Sequence, residues 1–390
     1  MTTRASRAPV LGVMAAIVLL ALNLRTLVAG LPPLLDDIRD DLGLSGLAGG
    51  LLTTLPVLGF GAFAPIAPRL SRRVSIERLL VGCAVVTAGA AALRGAGGVV
   101  PLFLGCALSG FAVAIAQALI PVFIRARHPE ATGMLTGAYS SSLTLGAALA
   151  AALAVPLEEW LGSWEASLTA WSVPALIAAV VWTPMALRSR EVVRGESPPG
   201  LWGNRLAWNV SLYMGAQSMA FYAGLTWIPS ILEDHGYSAG TAGALQALSA
   251  LVQLAPAFAT PVLAARRRDQ VGLLWWIVLL QLAGALGLLL AIDVAPLWIV
   301  ILGIGQGGAH GLGLILPVLR GGGAASVAAL TAMSLCVGYM VAAAGPWLLG
   351  AVHDAFGGWT VALIVFAAIC LLELVPGLPA SRARSIEGRA

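Results

Sequence analysis

Apolar runs of roughly 18 to 25 residues, long enough to cross a hydrocarbon core of about 30 Å, recur between short polar junctions along nearly the whole chain. Twelve such runs can be drawn, from Val10–Leu31 to Trp359–Val375. Inside lipid, every backbone N–H and C=O must be satisfied within a helix or a closed barrel. The runs lack the dyad alternation of a barrel wall, so the expected fold class is an all-α membrane protein with twelve transmembrane helices. Composition agrees: of 390 residues, 59% are hydrophobic and 10% charged, too little polar surface for a soluble globule of this length.

Charge sets the orientation. The chain has no lysine, and its 22 basic residues are all arginine. All but Arg25, Arg39 and Arg94 fall at the termini or at alternate junctions: Arg69, Arg72, Arg73 and Arg78, then Arg125 and Arg127, then Arg188 to Arg194, then Arg266 to Arg268, then Arg320. The intervening junctions carry Asp36, Asp37, Asp40, Asp41, Glu158, Glu159, Glu165, Glu233, Asp234, Asp293 and Asp354. By the positive-inside rule the arginine junctions and both termini are expected to be cytoplasmic, in a multi-pass membrane protein. The first run has no small-residue cleavage site and is expected to be retained as a helix. The net charge of +4 is a topology signal. Nucleic-acid binding would need a basic patch on a soluble face, and the pattern offers none.

No enzyme constellation is visible, and no catalytic residue is expected. His128, His235 and His353 lie at junctions, Ser140 to Ser142 have no nearby histidine or carboxylate, and without lysine there is no Walker-type ATP site. Cys83, Cys106, Cys336 and Cys370 lie inside apolar runs without paired spacing and read as small hydrophobes, so neither metal nor cofactor is expected. Ser385 to Arg389 contain the IEGR tetrapeptide of a processing protease. That segment reads in part as an engineered addition and is expected to lie outside the fold.

The chain repeats itself at an offset of 195 residues: Pro101-Leu102 matches Pro296-Leu297, Gly110 matches Gly305, Thr136 matches Thr331, Gly162 matches Gly357 and Trp164 matches Trp359. The organisation expected is an N-terminal six-helix bundle (1–187), a cytoplasmic linker (188–204), a C-terminal six-helix bundle (205–380) and a tail (381–390). Two parallel six-helix repeats related by a pseudo-two-fold axis are the arrangement of the major facilitator superfamily, with a site near mid-membrane.

Particular segments narrow this. Ala21-Leu22-Asn23-Leu24-Arg25, Leu51-Leu52-Thr53-Thr54-Leu55-Pro56, Gln217-Ser218-Met219-Ala220-Phe221-Tyr222, Thr226-Trp227-Ile228-Pro229, Gly305-Gln306-Gly307-Gly308 and Val337-Gly338-Tyr339 span both halves. Together the chain resembles the cyanate and nitroimidazole transporter family of the major facilitators. The resemblance implies a secondary carrier of small polar or anionic solutes, working as a monomer by alternating access, with spans one, four, seven and ten lining the cavity. It also implies a gating loop at Arg69, Arg72 and Arg73, with Ser71 where an aspartate is usual.

Arg25 lies about 15 residues, over 20 Å, into span one, where a charge costs at least about 2.5 to 3.5 kcal/mol on insertion scales. It should face a polar cavity or a partner, either as an anion-binding guanidinium or as a structural tie to helix-end carbonyls or outer-loop carboxylates. The other substrate-binding candidates are Asn23, Gln117, Tyr139, Gln217, Tyr222, Gln306 and His310, each also readable as interhelical packing. His310 is in addition a proton-coupling candidate, beside a ridge of Gly303, Gly307 and Gly311 that either admits a close helix or exposes backbone to a ligand. Arg94 is expected to snorkel to the outer interface and Glu373 to lie at the inner one. With no carboxylate at the depth of Arg25, the expected solute is a small anion, cyanate-like or carboxylate-like. The alternative is a flat neutral heteroaromatic drug such as a nitroimidazole, held mainly by Tyr139, Tyr222 and Trp227.

Overall fold

A computed structural model describes residues 7–44, 46–189 and 201–387. Among them the regular elements are helices, and the chain divides into two compact units, residues 1–195 and 196–390. The division falls within 190–200, outside the described residues.

Unit 1 contains α1 (Arg7–Ala29), α2 (Leu35–Leu42), α3 (Gly46–Phe63), α4 (Ala67–Ser71), α5 (Ile76–Arg94), α6 (Val99–Arg127), α7 (Thr132–Leu161), α8 (Trp164–Ala170) and α9 (Ser172–Arg188). Unit 2 contains α10 (Arg205–Asp234), α11 (Ala239–Ala265), α12 (Val271–Leu290), α13 (Ala295–Arg320), α14 (Ala324–Ala342), α15 (Ala344–Phe356), α16 (Trp359–Leu372) and α17 (Leu374–Ser381). Ten helical segments among the described residues are long and apolar enough to cross a membrane. With α3–α4, broken by a 3-10 turn at Ala64–Ile66, and the more polar α10, they make six spans in each unit. The breaks follow proline: Pro65 and Pro68 interrupt span two, and Pro376 lies just past the joint between α16 and α17, each ring removing a helical hydrogen bond.

The helix ends follow from local chemistry. Ser163, Asn204 and Ser238 accept N-terminal backbone N–H groups with their side chains, which only short polar side chains do well. Gly162 and Gly357 end α7 and α15 in the left-handed region, at φ of 85° and 69°, where a glycine has no Cβ penalty. These two glycines are the repeat partners found in the sequence.

In unit 1 an apolar cluster forms around Leu34, Ile38, Leu52, Leu102 and Trp164. Unit 2 has one cluster around Ile231, Leu302, Leu363 and Phe366 and another around Tyr213, Leu274, Leu312 and Ile315. Outward-facing side chains such as Val180, Trp276 and Leu290 are apolar and exposed, as lipid-facing residues should be.

The C-terminal segment corrects the sequence reading. Ile386 is buried in the second cluster of unit 2, its backbone N–H donates to the Arg320 carbonyl at 3.0 Å, and Asn204 donates to its carbonyl at 3.2 Å. The carboxylate of Glu387 accepts from Ser326 and from the backbone of Gly323, at the N-terminus of α14, where a negative charge is favoured. The end of the IEGR tetrapeptide, Gly388 and Arg389, lies outside the described residues.

Candidate functional site

Unit 1 is organised around α1. Asn23 donates its amide to the Leu19 carbonyl of its own helix at 2.7 Å and to the Pro174 carbonyl of α9 at 3.2 Å. Trp182 of α9 donates to the Ala16 carbonyl at 2.8 Å. Gly146 of α7 lies so close that a Cβ there would stand 2.3 Å from the Leu22 carbonyl oxygen. These contacts fix the helix that carries Arg25.

Arg25 is half-buried, and its guanidinium carbon lies 5.9 Å from the centre of the Phe60 ring of α3. Asn23 is two residues away, about 200° around the helix, so its α9-facing amide is on the opposite side of α1 from Arg25. Gln117 on α6 and Tyr139 on α7 are fully enclosed, on helices that both pack against α1.

Arg94 is the principal surprise of unit 1. Instead of snorkelling it is buried, at 2% exposure, and donates Nη1 to the Leu27 carbonyl at 2.6 Å. Gly105 of α6 makes the room, since a Cβ there would stand 2.4 Å from Arg94 Cγ.

In unit 2 the seam between α10 and α13 is built reciprocally. Gln217 of α10 lies against Gly313 of α13, with its amide nitrogen 3.5 Å from where a Cβ would be. Gln306 of α13 lies against Gly224 of α10 at 3.2 Å. Each glutamine is one heptad from the glycine on its own helix, so each occupies the space that the opposite glycine leaves. Gln217 donates to Ser218 Oγ at 2.7 Å and to the Met214 carbonyl, whereas the Gln306 amide nitrogen is buried without a hydrogen-bond partner. Tyr222 and His310 are half-buried, and the Tyr222 ring meets Phe221 edge-on at 5.3 Å. The ridge of Gly303, Gly307 and Gly311 seats α11: Cβ atoms there would stand 3.1, 2.3 and 2.8 Å from the carbonyls of Ser249, Gln253 and Ala257. Of the two readings of that ridge, close helix approach is the one observed.

Gln253 of α11 escaped the sequence reading, and Gln281 of α12 stands out there only as a polar exception in an otherwise apolar span. Gln253 is buried and donates to Ser249 at 3.3 Å. Gln281 donates to Glu373 at 3.0 Å, both with no exposed surface. Glu373 is thus not interfacial: its helix runs on through α17 to Ser381, eight residues further, about 12 Å at the helical rise. Gln246, Ser249 and Gln253 follow one another at helical spacing, the signal that could have marked Gln253, whereas Gln281 and Glu373 are lone polar residues in apolar runs.

At the arginine-bearing end of unit 1, Arg69, Arg72 and Arg73 are exposed, and Ser71 donates to the Pro68 carbonyl of its own turn. The tighter connection is one the sequence reading missed. Arg127 Nε donates to Glu77 at 2.8 Å and its Nη2 to Ser189 at 3.2 Å, while Ser189 donates to the second Glu77 oxygen at 2.7 Å. Unit 2 repeats it with a neutral amide in place of the carboxylate: Arg320 donates to Gln270 and to the Ala380 carbonyl, and the Gln270 N–H to the Ser381 carbonyl. At the other end, Trp164 donates to Asp41 at 3.2 Å, and Trp359 to Asp234. Among the described residues no His, Cys, Asp and Glu cluster could hold a metal, and the four cysteines are free.

A helical protein of two six-span units, held by buried side-chain-to-carbonyl ties, has the architecture of a multi-pass membrane protein. Residues 13–343 match the family model described as Major Facilitator Superfamily. The chain is 36% identical over 379 residues to the 2-nitroimidazole transporter of Escherichia coli (strain K12), covering 95% of this chain and 96% of that one. It is 30% identical over 365 residues to the cyanate transport protein CynX of the same organism, covering 92% and 94%. Its fold is similar to that of the proton:xylose symporter XylE, with a TM-score of 0.76 at 14% identity and coverage of 97% and 98%. The chain belongs to the major facilitator superfamily, within the cyanate and nitroimidazole transporter family. It is a multi-pass membrane transporter of a small-molecule solute and not an enzyme.

Proposed function

We propose that the chain carries a small planar solute with a negative or electron-rich edge across the bacterial inner membrane, by alternating access, as a monomer with both termini cytoplasmic. The observation that supports this most is Arg25: a permanently charged guanidinium, half-buried in a span, set over an aromatic ring on a helix whose other polar side chains are turned elsewhere. A guanidinium fork binds two oxygens of one group side by side. A carboxylate offers that edge, as does a nitro group, and cyanate offers a charged end, so one residue serves the solutes named for both relatives. Gln117 and Tyr139 of unit 1 are the further candidate contacts in that half, and Tyr222, Gln306 and His310 are the candidates in unit 2.

Counterflow in proteoliposomes tests the reading. Labelled cyanate or benzoate should exchange through the native protein and not through Arg25→Ala, with Arg25→Lys intermediate because a lysine lacks the planar fork. Unimpaired anion flux in Arg25→Ala refutes the anion role. The heteroaromatic reading, favoured by the 36% identity to the nitroimidazole transporter, is tested in the same vesicles with 2-nitroimidazole. Flux of that compound that survives Arg25→Ala but fails in Tyr222→Ala would transfer recognition to the aromatic side chains.

A further inference from the structure

Glu373 stands at the joint of α16 and α17, and Gln281 on α12; neither has any exposed surface. Gln281 Nε2 donates to Glu373 Oε2 at 3.0 Å. Gly305 of α13 closes the space behind, since a Cβ there would lie 2.6 Å from Gln281 Cγ. Among the described residues no basic side chain forms an ion pair with Glu373. Two oxygens of the pair, Glu373 Oε1 and Gln281 Oε1, are buried with no donor. An ionised carboxylate here would be an uncompensated interior charge alongside two orphaned acceptors, the combination that buried sites avoid. A single proton on Glu373 Oε1 removes both faults. The carboxyl then becomes a donor, and Gln281 Oε1, on the side chain already bonded to it, is the acceptor that lacks one.

We propose that Glu373 and Gln281 form a proton-binding site within unit 2. Uptake adds one proton to Oε1 and cancels one negative charge; no other bond changes. The groups on the surrounding elements leave that assignment in place. From α10 comes Tyr213, whose hydroxyl donates to the Ala309 carbonyl at 3.4 Å, and on α16 itself lies Cys370. From α13 come His310, beside Ala309, and Arg320, which is engaged by Ala380 and Gln270. α12 and α17 carry no titratable residue. His353 and Asp354 of α15 lie at the far end of α16, where the His353 ring is 4.0 Å from that of Trp359. Because the pair joins α12 to α16, the proton can leave only when water enters that seam, so proton occupancy follows the packing of these two helices.

Infrared absorption of the purified full chain, in H2O and D2O, tests the site without any solute. A deuterium-sensitive band of a protonated carboxyl is expected at neutral pH. Glu373→Gln should remove it, and Gln281→Leu should move it to higher frequency as the acid loses its amide partner. Absence of such a band from the native chain overturns the proposal, and so does a band that Gln281→Leu leaves unmoved. Should Glu373→Gln fail to fold, the native and Gln281→Leu spectra decide alone. The readout does not depend on transport, so its failure and that of the carrier reading are separately visible.

Discussion

Arg94 donates to the carbonyl of Leu27 at 2.6 Å, which makes the last residue of α5 the cap of α1. α1 ends at Ala29, so its final carbonyls have no donor within the helix, and a cation there also meets the negative end of the helix dipole. The bond satisfies one nitrogen of the guanidinium, on a carbonyl two residues beyond Arg25, while Nε and Nη2 of Arg94 are buried without a hydrogen-bond partner. Arg94→Leu should leave the Leu27 carbonyl buried and unpaired, lowering stability by about 1–3 kcal/mol. Gly105→Ala should act in the same direction by crowding the side chain. Thermal unfolding in detergent reads both, and a native-like midpoint for Arg94→Leu would contradict the capping role.

Phe60 is buried at 1% exposure beneath Arg25. Cation–π contacts of this kind contribute about 0.5–2 kcal/mol, or roughly 2- to 30-fold in affinity. Phe60→Leu should therefore weaken solute binding within that range while the protein still folds, measured by ligand-induced thermal shift. Affinity equal to native would separate the ring from recognition.

Gly307→Ala should be among the more damaging single methyl additions in unit 2. Its Cβ would meet the Gln253 carbonyl oxygen at 2.3 Å, backbone that cannot swing aside, and overpacking costs about 1–3 kcal/mol. Gly243→Ala on α11, with nothing within 4 Å, is the matched control and should be silent. Equal yields and unfolding midpoints for the two would show that α11 and α13 separate easily.

Glu77→Ala should destabilise unit 1 by about 3 kcal/mol, because it strips Arg127 of its buried partner. Glu77→Gln should cost less than half as much. Unit 2 already makes the corresponding connection through neutral Gln270, so the geometry tolerates an amide. Equal losses for the two variants, read from unfolding midpoints, would mean that the charge rather than the geometry holds this corner.

The layout was legible because span length and arginine placement are properties of composition along the chain, which folding does not rearrange. The repeat survived in the sequence at residues with local duties, such as the left-handed caps Gly162 and Gly357 and the indoles of Trp164 and Trp359. What could not be read was the direction each polar side chain takes. A span that is apolar all round gives no sign of which face meets protein, so Arg94 and Glu373 looked interfacial, although one caps a helix and the other meets an amide. Asn23 and Arg25 are both candidates in one span, and only the structure shows that the Asn23 amide is taken up by the Pro174 carbonyl of α9. The glycines that make room for Gln217 and Gln306 lie on the facing helix, about ninety residues away in the chain, and only packing could bring them together.

The seating of Ile386 and Glu387 turns the end of the chain into a built-in gauge of structural integrity. A protease that recognises Ile-Glu-Gly-Arg must draw those four residues out as an extended strand. Here the isoleucine is sunk among apolar side chains and the glutamate is fastened to Ser326. Clipping should be slow while unit 2 is intact and accelerate as its inner end loosens, so the cut site reports denaturation without an added label.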